Sequence, residues 1–448
     1  MDLEYVESFL KKIVDKAVEF GFEEAQAAYS ADSSMAIEIL FGEVSSFENS
    51  TGRGISFKAK MNGQMGRAHT TEFTDEAIDF LLNSASDNCK VLDDEDPDFI
   101  YCDPEHSELI YKPVNEAYGK NTYKRFVDLG LSLEKNLLKS SDKIAAVDYL
   151  RISCSKGPDI LVNSKGLKVL KDSDILTVVA GCRALSGEVV KSGGDFWYGK
   201  DIDLFDEKAF IDRLTSKLLP KLEAKSIKSG PYETIIENEA FISLFGSFLS
   251  NFYAYSMQKG LSLLNGRVGE KIASDCFNFS EYPMYEKAYN KVPFDGEGVL
   301  TMDKDIIKDG VFTTALYNLK SAYKEGCKST GNGFGGTSVT NVVIKAGNRS
   351  VDEIAKDIGE GLFITDVSGL HAGLNPISGD FSLLSEGYLI KDGKVADSVE
   401  QITIAGNFYD IMLNVKEIAN DTRSLPNSNG EFFSPSVYVG QINVSGEN

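Results

Sequence analysis

The sequence predicts an α+β protein of two domains, with both helices and strands in each domain. Its length of 448 residues fits two or three domains at about 150 residues per domain. The polar run at 225–231 separates two parts of different composition, so we place the domains at 1–225 and 226–448. Glycine is dense from 294 to 380, where short apolar runs alternate with tight turns. The second domain is therefore expected to be richer in strands.

The first domain is expected to begin with a helix and to continue with strands. Apolar residues repeat at helical spacing from Leu3 to Val18, and Gly21 follows as a stop signal. The segments at 35–47 and 54–60 then predict strands joined by Gly/Asn turns. The dipeptide Asn62-Gly63 predicts a hairpin that leads into a further strand.

The rest of the first domain is expected to alternate between helices and strands. A second helix begins at Thr74, because acidic residues fill its first turn and an apolar face follows. Beyond it, the sequence predicts an acidic loop at 93–98, a helix at about 114–139, strands over 145–190 and a helix over 205–224. Turns are expected at Lys156-Gly157 and Lys165-Gly166.

The second domain is expected to contain short strands and one short helix at 351–359. The candidate strands lie at 298–302, 311–316, 339–346, 361–366, 387–390 and 437–444. Before them, residues 240–257 form an eighteen-residue stretch without a charge, which just reaches the length of a membrane span. Serines are scattered through it, and Glu237 and Glu239 precede it. These features favour a helix buried in a domain core or a subunit interface.

The composition excludes several classes of protein. Apolar residues make up 42% and charged residues 25%, which excludes a disordered chain. Asp and Glu outnumber Lys and Arg by 68 to 46, giving a net charge of −22, which argues against nucleic acid as the main partner. The six cysteines are scattered without a CxxC pair, and the N-terminus does not resemble a signal peptide. We therefore expect a cytoplasmic protein that does not enter the membrane.

Known catalytic motifs are nearly absent from the sequence. The three histidines, at 69, 106 and 371, cannot form an HExxH pair. His69 is expected at a strand end and His106 in a solvated acidic loop. Residues 331–336 read GNGFGG, but no strand precedes them and no helix follows, so a dinucleotide site is not expected. The SxxK at 321–324 lacks its companion motifs.

One loop, at 369–381, concentrates polar residues between glycines and a proline. It carries His371, Asn375, Ser378 and Asp380, which are the candidate substrate-binding residues. Rigid turns that present polar side chains and bare backbone are a common way for loops to build binding sites. The alternative is a structural turn in which Ser378 and Asp380 bond their own backbone. The residues alone leave both alternatives open.

At this loop the sequence resembles a known family. GLHAGLNPISGDFSLLSEGYLI at 369–390, the stretch at 293–333 and GRGISFKAKMNGQMGRAHTTEF at 52–73 are similar to the TldD/PmbA (TldD/TldE) family. The resemblance implies an N-terminal α/β domain, a C-terminal β-rich, barrel-like domain, and dimerisation. It also implies a cytoplasmic peptidase complex of a TldD-type and a PmbA/TldE-type subunit, acting on peptides and unfolded polypeptides.

The sequence departs from the TldD type where that type binds zinc. TldD-type chains carry HExxxH on a mid-chain helix and a cysteine near the C-terminus. When GLSLLNGRVGE at 260–270 is used as the anchor, the HExxxH window falls on 245–250, with Phe245, Gly246 and Ser250 at the His, Glu and His positions. No cysteine follows Cys327. The resemblance thus implies a PmbA/TldE-type subunit without catalytic or metal-binding residues, with zinc only in a TldD-type partner.

Three hypotheses for the function follow. The first is a non-metal-binding subunit of a cytoplasmic metallopeptidase complex in peptide maturation or degradation, inactive alone and paired with a TldD-type subunit, with itself, or with both. The second is an autonomous hydrolase with an unrecognised site, for which His371 and Asp380 are candidates. The third is a peptide-binding scaffold without enzymatic activity. The sequence favours the first hypothesis, because it offers no evident nucleophile for the second.

Overall fold

The computed structural model describes residues 2–91, 98–113 and 115–447. The chain forms two compact units, one up to Leu222 together with Glu297–Val299, and one of Glu223–Gly296 and Leu300–Asn448. Helices and strands occur in both units, which confirms the α+β class. The predicted acidic loop at 93–98 lies, except for Asp98, outside the described residues.

The first unit consists of a large sheet with helices packed on it. Its helices are α1 Leu3–Phe20, α2 Asp75–Val91, α3 Tyr123–Lys139 and α4 Glu207–Leu218. Its strands are β1 Glu24–Leu40, β2 Glu43–Met61, β3 Gln64–Thr70, β4 Glu108–Tyr111, β5 Ile144–Asn163, β6 Lys168–Ser186 and β7 Val189–Gly199. The sheet order is β3-β2-β1-β5-β6, and both β4 and β7 pair with β6. Helices α1 and α2 share one buried core with the sheet, and α3 and α4 share another.

Several predicted boundaries in the first unit are confirmed. Helix α1 ends at Gly21, the hairpin turn lies at Asn62-Gly63, and a turn lies at Lys165-Gly166. The helix predicted from about 114 begins later, at Tyr123, where the Thr122 side chain accepts a hydrogen bond from Arg125 N and caps the first turn. Its C-terminal end at Lys139 agrees with the prediction.

Two predicted turns in the first unit are wrong, because sheet pairing overrides the local sequence. The strand predicted at 35–47 turns at Phe41-Gly42, where both residues have positive φ, and β2 then continues without a break through 49–54. Gly157 lies inside β5 and not in a turn. A Cβ on Gly157 would lie 1.7 Å from the carbonyl oxygen of Ala31, so glycine here permits a close approach of two strands.

Among the described residues, the second unit has more strands than the first, twelve against seven, but most of them are shorter and together they hold fewer residues. Its helices are α5 Asn238–Gly246, α6 Ala254–Gln258, α7 Leu319–Glu325, α8 Val351–Ile358 and α9 Phe408–Asn414. Its strands are β8 Gly230–Ile236, β9 Phe279–Glu281, β10 Lys304–Lys308, β11 Val311–Phe312, β12 Val342–Ile344, β13 Gly361–Ser368, β14 Asp380–Lys391, β15 Lys394–Asn407, β16 Glu417–Ile418, β17 Arg423–Pro426, β18 Glu431–Ser434 and β19 Val437–Ser445.

A closed barrel is the main feature of the second unit. Its sheet runs β15-β14-β13-β8-β19, and β15 pairs again with β19 through Thr403–Ser445, Ile404–Val444 and Ala405–Asn443. The five strands thus close on themselves, which confirms the barrel-like second domain and leaves those strands without an open edge. A separate sheet has the order β11-β10-β9-β12-β18-β17. One buried cluster joins the barrel, this sheet and the segment at 240–257.

Some predicted strands of the second unit are shorter than expected or absent. No strand forms at 298–302, only two residues of 311–316 are extended, and only Val342–Ile344 of the predicted 339–346 is a strand. Strand β15, which the sequence analysis did not predict, is the strand that closes the barrel. The helix predicted at 351–359 is confirmed as α8, which begins with a capping box between Ser350 and Glu353.

The uncharged segment at 240–257 is buried, as predicted, but it is not one helix. Helix α5 ends at Gly246, a 3₁₀ turn spans Leu249–Phe252, and α6 begins at Ala254. Phenylalanines from both sides of the breaks nevertheless belong to the same buried core. Among the helices that the structure describes, none is long and apolar enough to cross a bilayer.

Candidate functional site

On one side of the window at 245–250, phenylalanine side chains pack against other aromatic rings. Phe245 is fully buried, and its ring centroid lies 4.9 Å from that of Phe279, 5.5 Å from that of Phe408 and 5.7 Å from that of Phe432. Phe248 is also fully buried and stacks on Phe408 at 4.4 Å. This half of the window therefore acts as hydrophobic core.

A zinc ion does not fit the residues of this window. Zinc binds imidazole, thiolate or carboxylate groups, and residues 245–250 carry none of these. Within 2–91, 98–113 and 115–447, no three His, Cys, Asp or Glu side chains gather into a group that could hold a metal ion.

The other side of the window carries small residues that are partly exposed. Ser243, Gly246, Ser247 and Ser250 are each partly exposed, the first two within α5 and the other two beyond its end. A Cβ on Gly246 would meet no atom within 4 Å. The Ser243 hydroxyl donates to the Glu239 carbonyl at 3.0 Å, and the Ser247 hydroxyl donates to the Ser243 carbonyl at 2.9 Å. The space beside Gly246 is therefore open, and these two hydroxyls are engaged by the backbone of their own segment.

Three of the four predicted site residues are brought together in the loop between β13 and β14. Asn375 Oδ1 accepts hydrogen bonds from the backbone N–H groups of Ile377 at 3.0 Å and Ser378 at 3.2 Å. The Ser378 hydroxyl donates to Asp380 Oδ2 at 2.8 Å, and the Asp380 N–H donates back to that hydroxyl at 3.3 Å. Hydrogen bonds of this kind, made within the loop itself, are what the alternative of a structural turn predicts. The substrate-binding role of the three residues stays a prediction.

Asn407, at the end of β15, holds Ser378 and Asp380 of this loop in place through hydrogen bonds. Its side-chain amide donates to the Ser378 carbonyl at 2.8 Å and to Asp380 Oδ1 at 2.9 Å. The hydrogen bond from Asn407, followed by that from Ser378, holds the pKa of the exposed Asp380 carboxyl below its ordinary value. Asp380 is thus an ionised acceptor at neutral pH.

The three histidines belong to three different segments of the chain. His371 is exposed in the turn that begins at Gly369, away from the hydrogen bonds that join Asn375, Ser378 and Asp380. His69 lies near the end of β3, and His106 lies in an exposed turn with Nδ1 3.0 Å from Asp103 Oδ2. Both positions agree with the sequence predictions.

The sequence analysis missed Asn251, which connects the loop to the segment that carries the window. Asn251 is fully buried, and its Nδ2 donates to the carbonyl of Pro376 at 2.9 Å. Its backbone carbonyl accepts a hydrogen bond from the Ser262 hydroxyl at 2.7 Å. Its Oδ1 is buried and, among the described residues, has no donor. In the sequence, the signal for this residue is the one side-chain amide within the uncharged, mostly apolar run at 240–257.

The glycine-rich run at 331–336 is used to support buried carboxylates. Asn332 Nδ2 donates to both oxygens of the fully buried Glu281 at 3.0 Å, and Gly333 N donates to the buried Asp295 at 2.8 Å. Lys304 Nζ lies 2.6 Å from Glu281 Oε2. The first half of the run therefore belongs to the core of the second unit, whereas Gly335 and Gly336 are exposed.

Comparisons with known proteins extend over nearly the whole chain. Residues 229–446 match the family described as the PmbA/TldA metallopeptidase C-terminal domain. The Haemophilus influenzae protein named metalloprotease PmbA homolog is 23% identical over 455 residues, covering 98% of this chain and 97% of that protein.

Solved structures with the same fold include two that each cover 98% of this chain. A Thermotoga maritima protein described as a candidate modulator of a DNA gyrase has a TM-score of 0.88 and 27% identity, covering 98% of this chain and 100% of its own. TldE from Thermococcus kodakarensis has a TM-score of 0.83 and 23% identity, and the match covers 98% of this chain and 100% of TldE. At that identity the likeness to TldE establishes the shared fold.

Proposed function

The chain belongs to the TldD/PmbA family of metalloprotease-like proteins, and from this premise we propose that it is a PmbA/TldE-type subunit that binds no metal itself. Its role is to complete a cytoplasmic peptidase complex in which a TldD-type subunit carries the zinc. The complex matures or degrades peptides and unfolded polypeptides.

The burial of Phe245 is the observation that carries this proposal. The residue at the position of the first zinc-binding histidine has no exposed surface and packs among the rings of six other phenylalanines. Gly246 and Ser250, at the other two positions, offer neither a general base nor an imidazole ligand. These residues therefore support a role in hydrophobic packing and not in metal binding.

The loop at 369–381 supports a role in holding the peptide. Its hydrogen bonds to Asn251 and Asn407 fix its shape before any ligand arrives, so little conformational entropy is lost on binding. His371 is exposed, and the ionised Asp380 retains acceptor capacity beyond its two internal bonds. An extended peptide needs such polar groups beside an open face, and Gly246 and its neighbouring serines provide an open face in the same unit.

The test is a peptidase assay on the purified chain, on a TldD-type partner, and on their mixture. We expect the two proteins to co-purify, the mixture to cleave peptides and an unfolded polypeptide, and a zinc chelator to abolish this activity. The chain alone should be inactive. Activity of the chain alone would instead favour the autonomous hydrolase, and a mixture no more active than the partner would favour the scaffold.

Variants of the loop refine the assay. Asn375→Ala and Asp380→Ala should raise the KM of the mixture about tenfold, as expected for a lost polar contact, and change kcat much less. Asn265→Ala, at an exposed asparagine outside the loop, is the matched control. If either loop variant abolished turnover while leaving binding and assembly intact, the loop would be catalytic. Light scattering of the chain alone tests whether it also pairs with itself.

A further inference from the structure

A groove of about 440 Å³ in the second unit shares no residue with the window at 245–250 or with the loop at 369–381. Three chain segments line it, at 276–278, 345–349 and 416–418. Its volume lies within the range of small-molecule sites, which is roughly 300–1,000 Å³. None of these residues was singled out as a site by the sequence.

Hydrogen bonds between the lining segments hold the groove in shape. Lys345 N donates to the Asn278 carbonyl at 3.0 Å, and Gly347 N donates to the Ala419 carbonyl at 2.9 Å. Asn420 N donates to the Arg349 carbonyl at 2.9 Å. Because the walls are linked through their backbones, the groove is preformed and a ligand need not order it.

The charges of the groove are unbalanced in favour of cations. Lys345 and Lys416 both line it, and neither forms an ion pair or a side-chain hydrogen bond with any residue that the structure describes. Arg349, in contrast, forms ion pairs with two carboxylates, Glu417 at 3.0 Å and Asp357 at 2.6 Å. Two lysines without an ion-pair partner among the described residues thus line one concave space in a chain whose net charge is −22.

The position of Lys416 depends on a glycine in β19. A Cβ on Gly440 would lie 3.3 Å from Lys416 Cε and 3.4 Å from the Asn414 carbonyl oxygen. The lysine stem therefore lies directly against the backbone of β19. This packing restricts the directions in which the ammonium group can point.

We propose that this groove binds a small molecule that carries a phosphate group. A phosphate bears a charge of about −1.5 to −2 at neutral pH, which matches two unpaired lysines, and lysine binds phosphate as a point charge. The side-chain amides of Asn278 and Asn348 provide further polar groups, while Ala346 and Ile418 offer apolar wall for the organic part of the ligand.

Cys276 provides a direct measure of occupancy, because its exposed thiol lines the groove. Cys327 is also exposed but lies outside the groove, so it is the internal control. The full chain is alkylated with iodoacetamide in the presence of inorganic phosphate, glycerol phosphate, succinate, or sodium chloride at matched ionic strength. Alkylation rates at the two cysteines are read separately by peptide mass spectrometry.

We expect the two phosphates to slow alkylation of Cys276 and to leave Cys327 unchanged, with glycerol phosphate more effective than inorganic phosphate. The double variant Lys345→Ala/Lys416→Ala should bind phosphate at least about tenfold more weakly, since it loses two charge contacts. Lys394→Ala removes an exposed lysine outside the groove and should behave like the wild type. Rates with and without ligand are compared within each variant, so a change in intrinsic thiol reactivity cancels.

Three results would overturn the proposal: no protection of Cys276 by either phosphate at millimolar concentration, equal protection by sodium chloride, or unchanged protection in the double variant. Protection by succinate equal to that by phosphate would reject a phosphate-specific site in favour of a general dianion site. Calorimetric titration of the same variants with glycerol phosphate provides an independent readout.

Discussion

Asn251 is a single side chain on which the shape of the candidate peptide-holding loop depends. Its Nδ2 must be the atom that faces Pro376, because the partner is a carbonyl oxygen and only the amide nitrogen can donate. Its Oδ1 is buried and has no donor in the part of the chain that the structure describes, and a buried unsatisfied carbonyl disfavours the folded state by about 1–3 kcal/mol. Asn251 thus fixes the geometry of the loop through its bond to Pro376, while its unsatisfied oxygen lowers the unfolding free energy of the protein.

Replacing Asn251 should therefore loosen the loop without unfolding the protein. Asn251→Leu removes the donor and the unsatisfied oxygen together, so we expect a change in unfolding free energy of less than about 1 kcal/mol. The amides of Ile377, Ser378 and Gly379 should exchange with solvent faster, as measured by hydrogen-exchange mass spectrometry. Asn265→Leu should leave their exchange unchanged, and unchanged exchange in Asn251→Leu would contradict the anchoring role.

Asp380 should titrate at a lower pH than an ordinary aspartate. Asn407 and Ser378 donate to the ionised form and lower its pKa, so the bonds stabilise the folded loop above the unfolded-state pKa of about 3.9. That stabilisation is lost as the pH falls through the folded-state pKa. Carbon-detected NMR titration should give a pKa below 3.9 in the wild type and a higher value in Asn407→Ala. Equal values in the two proteins would show that the bond is absent in solution.

The segment at 240–257 is an element whose burial matters more than its helical structure. Phe241, Phe245, Phe248 and Phe252 are spaced by four, three and four residues, which is the spacing of one helix face. Helix α5 ends at Gly246 and a 3₁₀ turn follows at Leu249–Phe252, yet all four rings lie in one buried core. The apolar spacing therefore predicts the burial of this segment better than it predicts an unbroken helix.

Truncation of Phe245 should be among the most destabilising changes in the second unit. Phe245→Ala leaves a cavity among fully buried rings, and we expect a loss of about 3–5 kcal/mol in unfolding free energy, measured by chemical denaturation. The control is Leu384→Ala, at a side chain that is 54% exposed, which should change the free energy by about 0.5 kcal/mol or less. Similar losses in both variants would show that the window is not part of the core.

Strand β10 carries a buried ion pair that can be compared with an exposed one on the same strand. Lys304 and Glu281 lie 2.6 Å apart with both side chains buried, whereas Lys308 and Asp305 lie 3.4 Å apart with Lys308 63% exposed. Lys304→Met leaves a buried carboxylate without its counter-charge and should lower the unfolding free energy by about 3–5 kcal/mol. Lys308→Met should lower it by about 1 kcal/mol or less. Equal effects in denaturation experiments would contradict the burial of Glu281.

For the whole molecule, we expect the purified chain to bind no stoichiometric zinc. Its three histidines are dispersed over 69, 106 and 371, and a zinc site needs at least three nitrogen, sulfur or oxygen ligands. Metal analysis after dialysis against a weak chelator should find far less than one zinc per chain. A TldD-type partner treated in the same way is the positive control, and about one zinc per chain here would overturn the prediction.

The sequence by itself determined the features that a few neighbouring residues decide. Gly21 ends α1, Asn62-Gly63 forms a hairpin turn, and the short helix expected at 351–359 forms as α8, because capping and turn geometry depend on local side chains. The long resemblance at 369–390 also identified the family and the loop. The same local reasoning failed at 49–54 and at Gly157, where polar and glycine residues typical of turns lie inside paired strands.

Only the tertiary structure decided how distant parts of the chain meet. Asn251 lies 125 residues from Pro376 in sequence, and the bond between them follows from the packing of the whole second unit. The pairing of β15 with β19 closes the barrel, and the core gathers phenylalanines from both sides of the broken segment at 240–257. Contacts between distant residues depend on the register and burial of all the elements together, which a local pattern does not encode.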